Sequence, residues 1–203
     1  GTFENDFWVI GSAGDSIYVL TNYEADNYQL ISVNTNDVSK EKWQVIIPEK
    51  EEPLKSISMV GGKLIASYMK DVKSKVYVFD LKGNYEHEID LPGPGTASGF
   101  KGKREDSITF YSFTSFTYPS TIYKYNIKEN TSEVYREPEI DFDLENYKTE
   151  QVFYESKDGT KVPMFLTYKK DLEMNGQNPV LLYGYGGFNI SLQPSFSITN
   201  LVF

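Results

Sequence analysis

Short runs in which apolar and polar side chains alternate recur along the first two thirds of the chain. Alternation with a period of two marks a strand that buries one face. Three of these runs align without gaps: Tyr-Gln-Leu-Ile-Ser-Val-Asn at 28–34, Ser-Lys-Val-Tyr-Val-Phe-Asp at 74–80 and Ser-Thr-Ile-Tyr-Lys-Tyr-Asn at 120–126. Leu30, Val76 and Ile122 stand 46 residues apart, and each run closes on Asn or Asp. A second strand is predicted upstream of each, at 15–21, 62–68 and 106–112, and a third downstream, at 43–47, 85–91 and 132–135. Leading strands at 7–10, 54–59 and 96–100 complete the units. Four short strands in a 46-residue repeat is the size of a propeller blade. A straight solenoid of strands is the alternative, but its repeats usually run shorter. No unit carries a helical period, so no helix is expected between residues 7 and 135. Propellers close with roughly four to eight blades, so three blades cannot close a ring by themselves.

The pattern changes after Tyr135. Residues 136–146 are acidic, contain Pro138 and do not alternate, which makes 138–148 the predicted linker. Its carboxylates lack the spacing and the glycine of a calcium loop, so a solvated connection is expected rather than a metal site. Strands are then predicted at 151–154 and 161–168, joined at Asp158-Gly159 by a tight two-residue turn, because that dipeptide tolerates positive φ. An apolar run at 179–183 reads as a buried strand. It opens into Tyr-Gly-Tyr-Gly-Gly-Phe-Asn at 183–189, where the glycines allow a sharp turn with exposed N–H groups. No helix start and no Gly-Lys-Ser/Thr ending follow Gly187, which favours an oxyanion over a phosphate as the loop's ligand. Tyr185 puts a phenolic donor in the middle of the loop, and Phe188 puts a large apolar face beside it. A tight turn packed by its own aromatics is the plainer reading of the same residues.

Composition narrows the function classes. Apolar residues make up 39% of 203, with 15% aromatic, which is ample for a packed core. A formal charge of −9, from 29 acidic against 20 basic side chains, argues against a nucleic-acid backbone as partner. There is no cysteine, hence no disulfide and no thiolate metal site, and the redox compartment stays open between cytoplasm and periplasm. No run approaches 18 apolar residues, and the first residues, Gly-Thr-Phe-Glu-Asn-Asp, lack the basic and apolar regions of a secretory signal. A soluble chain with no membrane partner is expected. Asn-Thr-Ser at 130–132 and Asn-Ile-Ser at 189–191 match glycosylation acceptors, a pattern too short to carry weight by itself.

Nucleophilic catalysis on an α/β-hydrolase frame needs Ser on a Gly-x-Ser-x-Gly turn, then an acid, then His. No Gly-x-Ser-x-Gly occurs, and the one histidine, His87, lies between glutamates on the outer strand of a predicted blade, where a solvated residue is expected. One His and no Cys leave no metal set, and no cofactor is expected.

The segment Tyr-Glu-Ser-Lys-Asp-Gly-Thr-Lys-Val-Pro-Met-Phe-Leu-Thr-Tyr at 154–168, with Asn-Pro-Val-Leu-Leu-Tyr-Gly-Tyr-Gly-Gly-Phe-Asn-Ile at 178–190, resembles the start of the peptidase domain of the prolyl oligopeptidase (prolyl endopeptidase) family. The likeness runs back into the repeat, best at Phe-Tyr-Ser-Phe-Thr-Ser-Phe, 110–116. The resemblance implies a mainly β chain: a partial β-propeller of about three four-stranded blades at 1–137, a linker at 138–148, and the first strands of an α/β-hydrolase domain at 149–203. It implies an internal fragment of a serine endopeptidase that cleaves short peptides on the carboxyl side of proline. In such a parent the propeller restricts access, and the catalytic Ser, Asp and His lie outside this chain. Tyr185 matches the family tyrosine whose hydroxyl helps form the oxyanion hole, and Phe188 matches an aromatic that lines the proline pocket. The expected partners are proline-containing peptides and the remainder of the parent chain, and the fragment alone is expected to be inactive. Oligopeptidase B, which cleaves after basic residues, tends to carry a different pair after Tyr-Gly-Tyr-Gly, and Gly187-Phe188-Asn189 follows the prolyl pattern. A non-catalytic propeller that binds peptides or protein partners is the reading from another class.

Overall fold

A computed structural model describes residues 4–188 and 190–202. Its first sheet comprises β1 (Phe7–Ala13), β2 (Ser16–Thr21), β3 (Gln29–Asn34) and β4 (Gln44–Ile47). The second comprises β5 (Leu54–Val60), β6 (Lys63–Lys70), β7 (Lys73–Phe79) and β8 (Tyr85–Glu88), and the third β9 (Thr96–Lys101), β10 (Ile108–Ser115), β11 (Tyr118–Asn126) and β12 (Thr131–Arg136). Each sheet is an antiparallel meander in chain order. All twelve predicted strands are therefore present and group as the repeat requires. Among the described residues between 7 and 135 the only helical piece is a single 3-10 turn, Lys40–Lys42.

The sheets stack face to face, because the middle strands are apolar on both sides. Leu64, Ala66, Tyr68 and Phe79 of the second sheet pack against Tyr18, Leu20, Leu30 and Ile47 of the first. Ile65, Val76 and Val78, from its opposite face, pack against Ala97, Phe100, Tyr111, Phe113, Tyr123 and Tyr125 of the third. Rings stack through this second core, Phe100 on Tyr111 at 4.7 Å and Tyr111 on Tyr123 at 5.1 Å. Burying phenols requires partners for their hydroxyls. Tyr111 donates to Ser132 Oγ at 3.0 Å, Tyr125 to Asn130 Oδ1 at 3.0 Å, and Tyr18 crosses between sheets to Leu81 O at 2.8 Å. Gly83, at φ 86, lets the turn between β7 and β8 lie directly on β4: a Cβ there would sit 1.8 Å from Ile46 O.

The gap-free repeat also preserves facing. Leu30 lies in the core between the first and second sheets, and Val76 in the core between the second and third. Ile122 pairs with Ser112, on the side away from Tyr123 and Tyr125, and is exposed there with Phe110. Each of the three therefore points toward where the next sheet lies or would lie. The outward face of the first sheet is left open in the same way at Phe7, Val9 and Val45.

Beyond the third sheet, residues 137–143 are irregular and a 3-10 turn runs over Leu144–Asn146. A hairpin of β13 (Tyr147–Glu155) and β14 (Lys161–Lys169) follows, β13 starting four residues earlier than the alternation predicts. The Asp158-Gly159 turn differs from expectation. Ser156 N donates to Thr160 O and Gly159 N to Ser156 O, both at 2.9 Å. Three residues therefore form the loop, and only Gly159, at φ 84, takes the left-handed conformation. Asp158 instead accepts the Ser156 hydroxyl and the Thr160 N–H through Oδ1, the usual reason for Asp in a turn.

The predicted buried strand at 179–183 is not formed. Val180 is 81% exposed and Leu182 80%, and residues 179–186 carry no regular structure. A strand of this kind takes all of its hydrogen bonds and both covering faces from neighbours, and none of the described residues supplies them. For the same reason the expected opening of an α/β-hydrolase sheet is not formed among the described residues, where β13 and β14 pair only with each other. A short helix, α1 (Ile198–Val202), ends the described chain. No helix is long and apolar enough to cross a membrane.

Candidate active site

Tyr185 and Phe188 lie where the sequence places them, in an irregular loop, but they do not converge on a pocket among the described residues. Tyr185 is 49% exposed and Phe188 92%. The Tyr185 ring folds back over its own loop, its hydroxyl 3.8 Å from where a Cβ on Gly187 would stand, whereas Gly184 and Gly186 face open space. Ile190 N donates to Gly187 O at 3.1 Å, closing a turn around Phe188, which adopts φ 51. A bulky residue in the left-handed region costs on the order of 1–3 kcal/mol and is found most often at functional loops. The loop therefore presents a phenolic donor and an exposed aromatic face. Asn189, which completes the motif and heads the 189–191 acceptor, lies outside the described residues.

His87 is half-buried rather than solvated. Its Nε2 lies 2.9 Å from Tyr125 Oη of the next sheet, and the Tyr125 hydroxyl donates a hydrogen bond to Asn130 Oδ1. The imidazole therefore donates and ties β8 to β11, a structural role in which no reacting group is within reach. Asn130, exposed at φ 51 between β11 and β12, has its side-chain oxygen engaged by that same bond.

The acidic linker residues serve local turn structure. Asp143 caps the 3-10 turn by accepting from Glu145 N at 3.2 Å and Asn146 Nδ2 at 2.7 Å, and no group of three potential ligands occurs among the described residues. A cleft of about 400 Å³ lies between the linker and the hairpin, lined by Phe142, Tyr147 and Lys170 among others, with neither Tyr185 nor Phe188 in it.

The perturbed tyrosines belong to the cores. Burial pushes Tyr68 up to about 12, its hydroxyl has no protein partner, and the Lys50 ammonium sits 5.0 Å above its ring. Burial, followed by the hydrogen bond shared with Tyr118, likewise holds Tyr123 well above the usual phenol range.

Comparison with known proteins agrees with this architecture. Residues 1–138 match the family model of the prolyl oligopeptidase N-terminal β-propeller domain, and the chain belongs to that family. It is 45% identical over 200 residues to a prolyl endopeptidase of Elizabethkingia meningoseptica, covering 98% of this chain and 28% of that protein. A prolyl endopeptidase of Dictyostelium discoideum is 39% identical over 209 residues, covering 97% of this chain and 27% of its own length. A solved structure from a study of two prolyl endopeptidases and their inter-domain dynamics superposes with a TM-score of 0.92 at 40% identity, over 99% of this chain and 30% of that one. Prolyl oligopeptidase B of Galerina marginata, bound to a 35-residue hydrolysis and macrocyclisation substrate, gives 0.88 at 27% identity, over 97% and 28%. The chain thus spans less than a third of the length of the relatives it matches.

Proposed function

We propose that this chain is part of a serine-type prolyl endopeptidase, which hydrolyses short peptides on the carboxyl side of proline. In this reading residues 1–137 are the last propeller blades, 138–148 the linker and 149–203 the first strands of the peptidase domain. The propeller restricts substrate access. Tyr185 donates its hydroxyl to the oxyanion that forms when the scissile carbonyl is attacked, and Phe188 supplies an apolar wall for the prolyl ring. Nucleophile, acid and base come from parts of the parent outside these residues.

The observation that carries the reading is the Tyr-Gly-Tyr-Gly-Gly-Phe loop at 183–188 standing downstream of three blades, after a linker and one hairpin. Likeness to prolyl endopeptidases over almost the whole chain supports it. The exposed apolar run at 179–183 fits it as well, since such a run becomes a buried strand once neighbouring strands are supplied.

The test compares the full-length parent with this chain on chromogenic peptides bearing proline, arginine or alanine before the scissile bond. The parent should prefer proline and lose activity when the Ser of its Gly-x-Ser-x-Gly turn is replaced by Ala, while the isolated chain should not turn over any of them. A preference for arginine would reassign the parent to the basic-specific relatives. Turnover that stays proportional to the concentration of repurified isolated chain would overturn the placement of the catalytic groups.

A further inference from the structure

Five residues after Phe188 the chain ceases to be free. Pro194 is buried and Gln193, Phe196 and Ser197 are half-buried, whereas residues 179–186 are all exposed. The anchor is a pair of threonines on the third sheet. Thr96 of β9 and Thr114 of β10 are direct cross-strand partners, so their side chains emerge side by side on one face. Thr96 Oγ1 donates to Pro194 O at 2.7 Å, and Thr114 Oγ1 accepts from Phe196 N at 3.1 Å. In an extended chain the C=O of one residue and the N–H two residues later point to the same side. The two hydroxyls therefore satisfy the backbone of 194–196 as an adjacent strand would.

The Thr114 hydroxyl is preset for its role. Thr114 spends its proton on Tyr118 O at 3.0 Å, which leaves its lone pairs for Phe196. Gly95 lets the start of β9 lie close against β10, since a Cβ there would fall 2.4 Å from Thr114 O. Around this pair, Gln193 Nε2 lies 3.1 Å from Met69 Sδ, Gln151 Nε2 donates to Asp71 O at 2.7 Å, and Phe116 meets Phe165 at 5.2 Å. The pair thus stands at the centre of a contact between the ends of the second and third sheets and the segments that follow them.

We propose that Thr96 and Thr114 are positioning residues that clamp residues 194–196 to the propeller and thereby fix one end of the Tyr185–Phe188 loop. The proposal rests on the functional reading above. The clamp transmits the placement of the third blade to the oxyanion donor, and neither threonine touches substrate. Loss of either hydroxyl releases the downstream anchor, so that the loop samples arrangements in which Tyr185 is misaimed. That affects the reaction of bound substrate more than its binding.

The test uses Thr114→Val and Thr96→Val, which keep the β-branched shape and remove the hydroxyl, with Thr→Ser at each position as the conservative control. In the full-length parent, hydrogen exchange at the Phe196 amide, read without substrate, should speed about five-fold or more in Thr114→Val and return toward the original in Thr114→Ser. For a prolyl peptide, kcat should fall about five-fold in each Val variant, with KM within about two-fold, and recover in the Ser variants. Unchanged protection at Phe196 would overturn the clamp. Lost protection with kcat and KM both intact would overturn its positioning role. A parent that cleaves no prolyl peptide before any substitution would sink the functional reading instead, and the exchange result keeps the two failures apart.

Discussion

In the proposed reading the hydroxyl of Tyr185 donates to the oxyanion that develops during the reaction. Removing it while keeping the ring separates donation from packing. In the full-length parent, Tyr185→Phe should lower kcat by about 10²- to 10³-fold, with a much smaller change in KM and an unchanged thermal midpoint. Because Tyr185 is half exposed and its ring lies beside Gly187 of its own loop, a collapse of the midpoint is the outcome that would mark it as structural. At Asp158, the Ser156 hydroxyl and then the Thr160 N–H hold the carboxyl down at about 2. A depressed carboxylate favours the folded hairpin above its ordinary value near 3.8, and that contribution disappears as the pH falls through about 2. Ser156→Ala should move the Asp158 titration, followed by NMR of its side-chain carbons, back up toward 3.8. An unmoved midpoint would show that the backbone donor alone sets it.

At the scale of elements, the blades hold one another through close backbone approach as well as through apolar cores. The turn between β7 and β8 is organised by Asp80, whose Oδ1 accepts from Lys82 N at 2.8 Å and Asn84 N at 2.9 Å. Gly83 then presses against Ile46 O on β4. Gly83→Ala adds both a left-handed penalty and a clash with backbone that cannot rotate away. It should cost about 2 kcal/mol or more, seen as a lower urea midpoint with little change in slope. Gly14, also in the left-handed region but with open space around it, should cost only the conformational part, about 1 kcal/mol. Equal losses at the two sites would show that the turn does not bear on the first blade.

For the whole molecule, the two outward faces matter most. Phe110, Ile122 and Tyr135 lie open on the third sheet, and Phe7, Val9 and Val45 on the first. These are the same kinds of face that pack between the first, second and third sheets. Two open apolar faces on one chain are complementary in the way successive blades are, and head-to-tail pairing of copies covers them. The isolated chain should therefore self-associate in a concentration-dependent manner, measured by sedimentation velocity, despite its charge of −9. Ile122→Lys should reduce the association without changing the far-ultraviolet spectrum. A concentration-independent monomer would show that these faces are content in water.

Local pattern determined a great deal. Alternation of side chains places the twelve blade strands, and the 46-residue spacing carries even the facing of Leu30, Val76 and Ile122, because a period of two ties facing to position along the strand. The Tyr185 loop was legible from its glycines and aromatics for the same local reason. What the alternation could not convey is anything that depends on partners distant in sequence. His87 looks solvated between two glutamates, and only the neighbouring sheet reveals that Tyr125 holds it. Nothing near Thr96 or Thr114 in sequence announces Pro194 and Phe196, which lie 98 and 82 residues away from them. The run at 179–183 has the composition of a buried strand and yet stays open, since composition supplies the preference while neighbouring strands supply the hydrogen bonds and the cover.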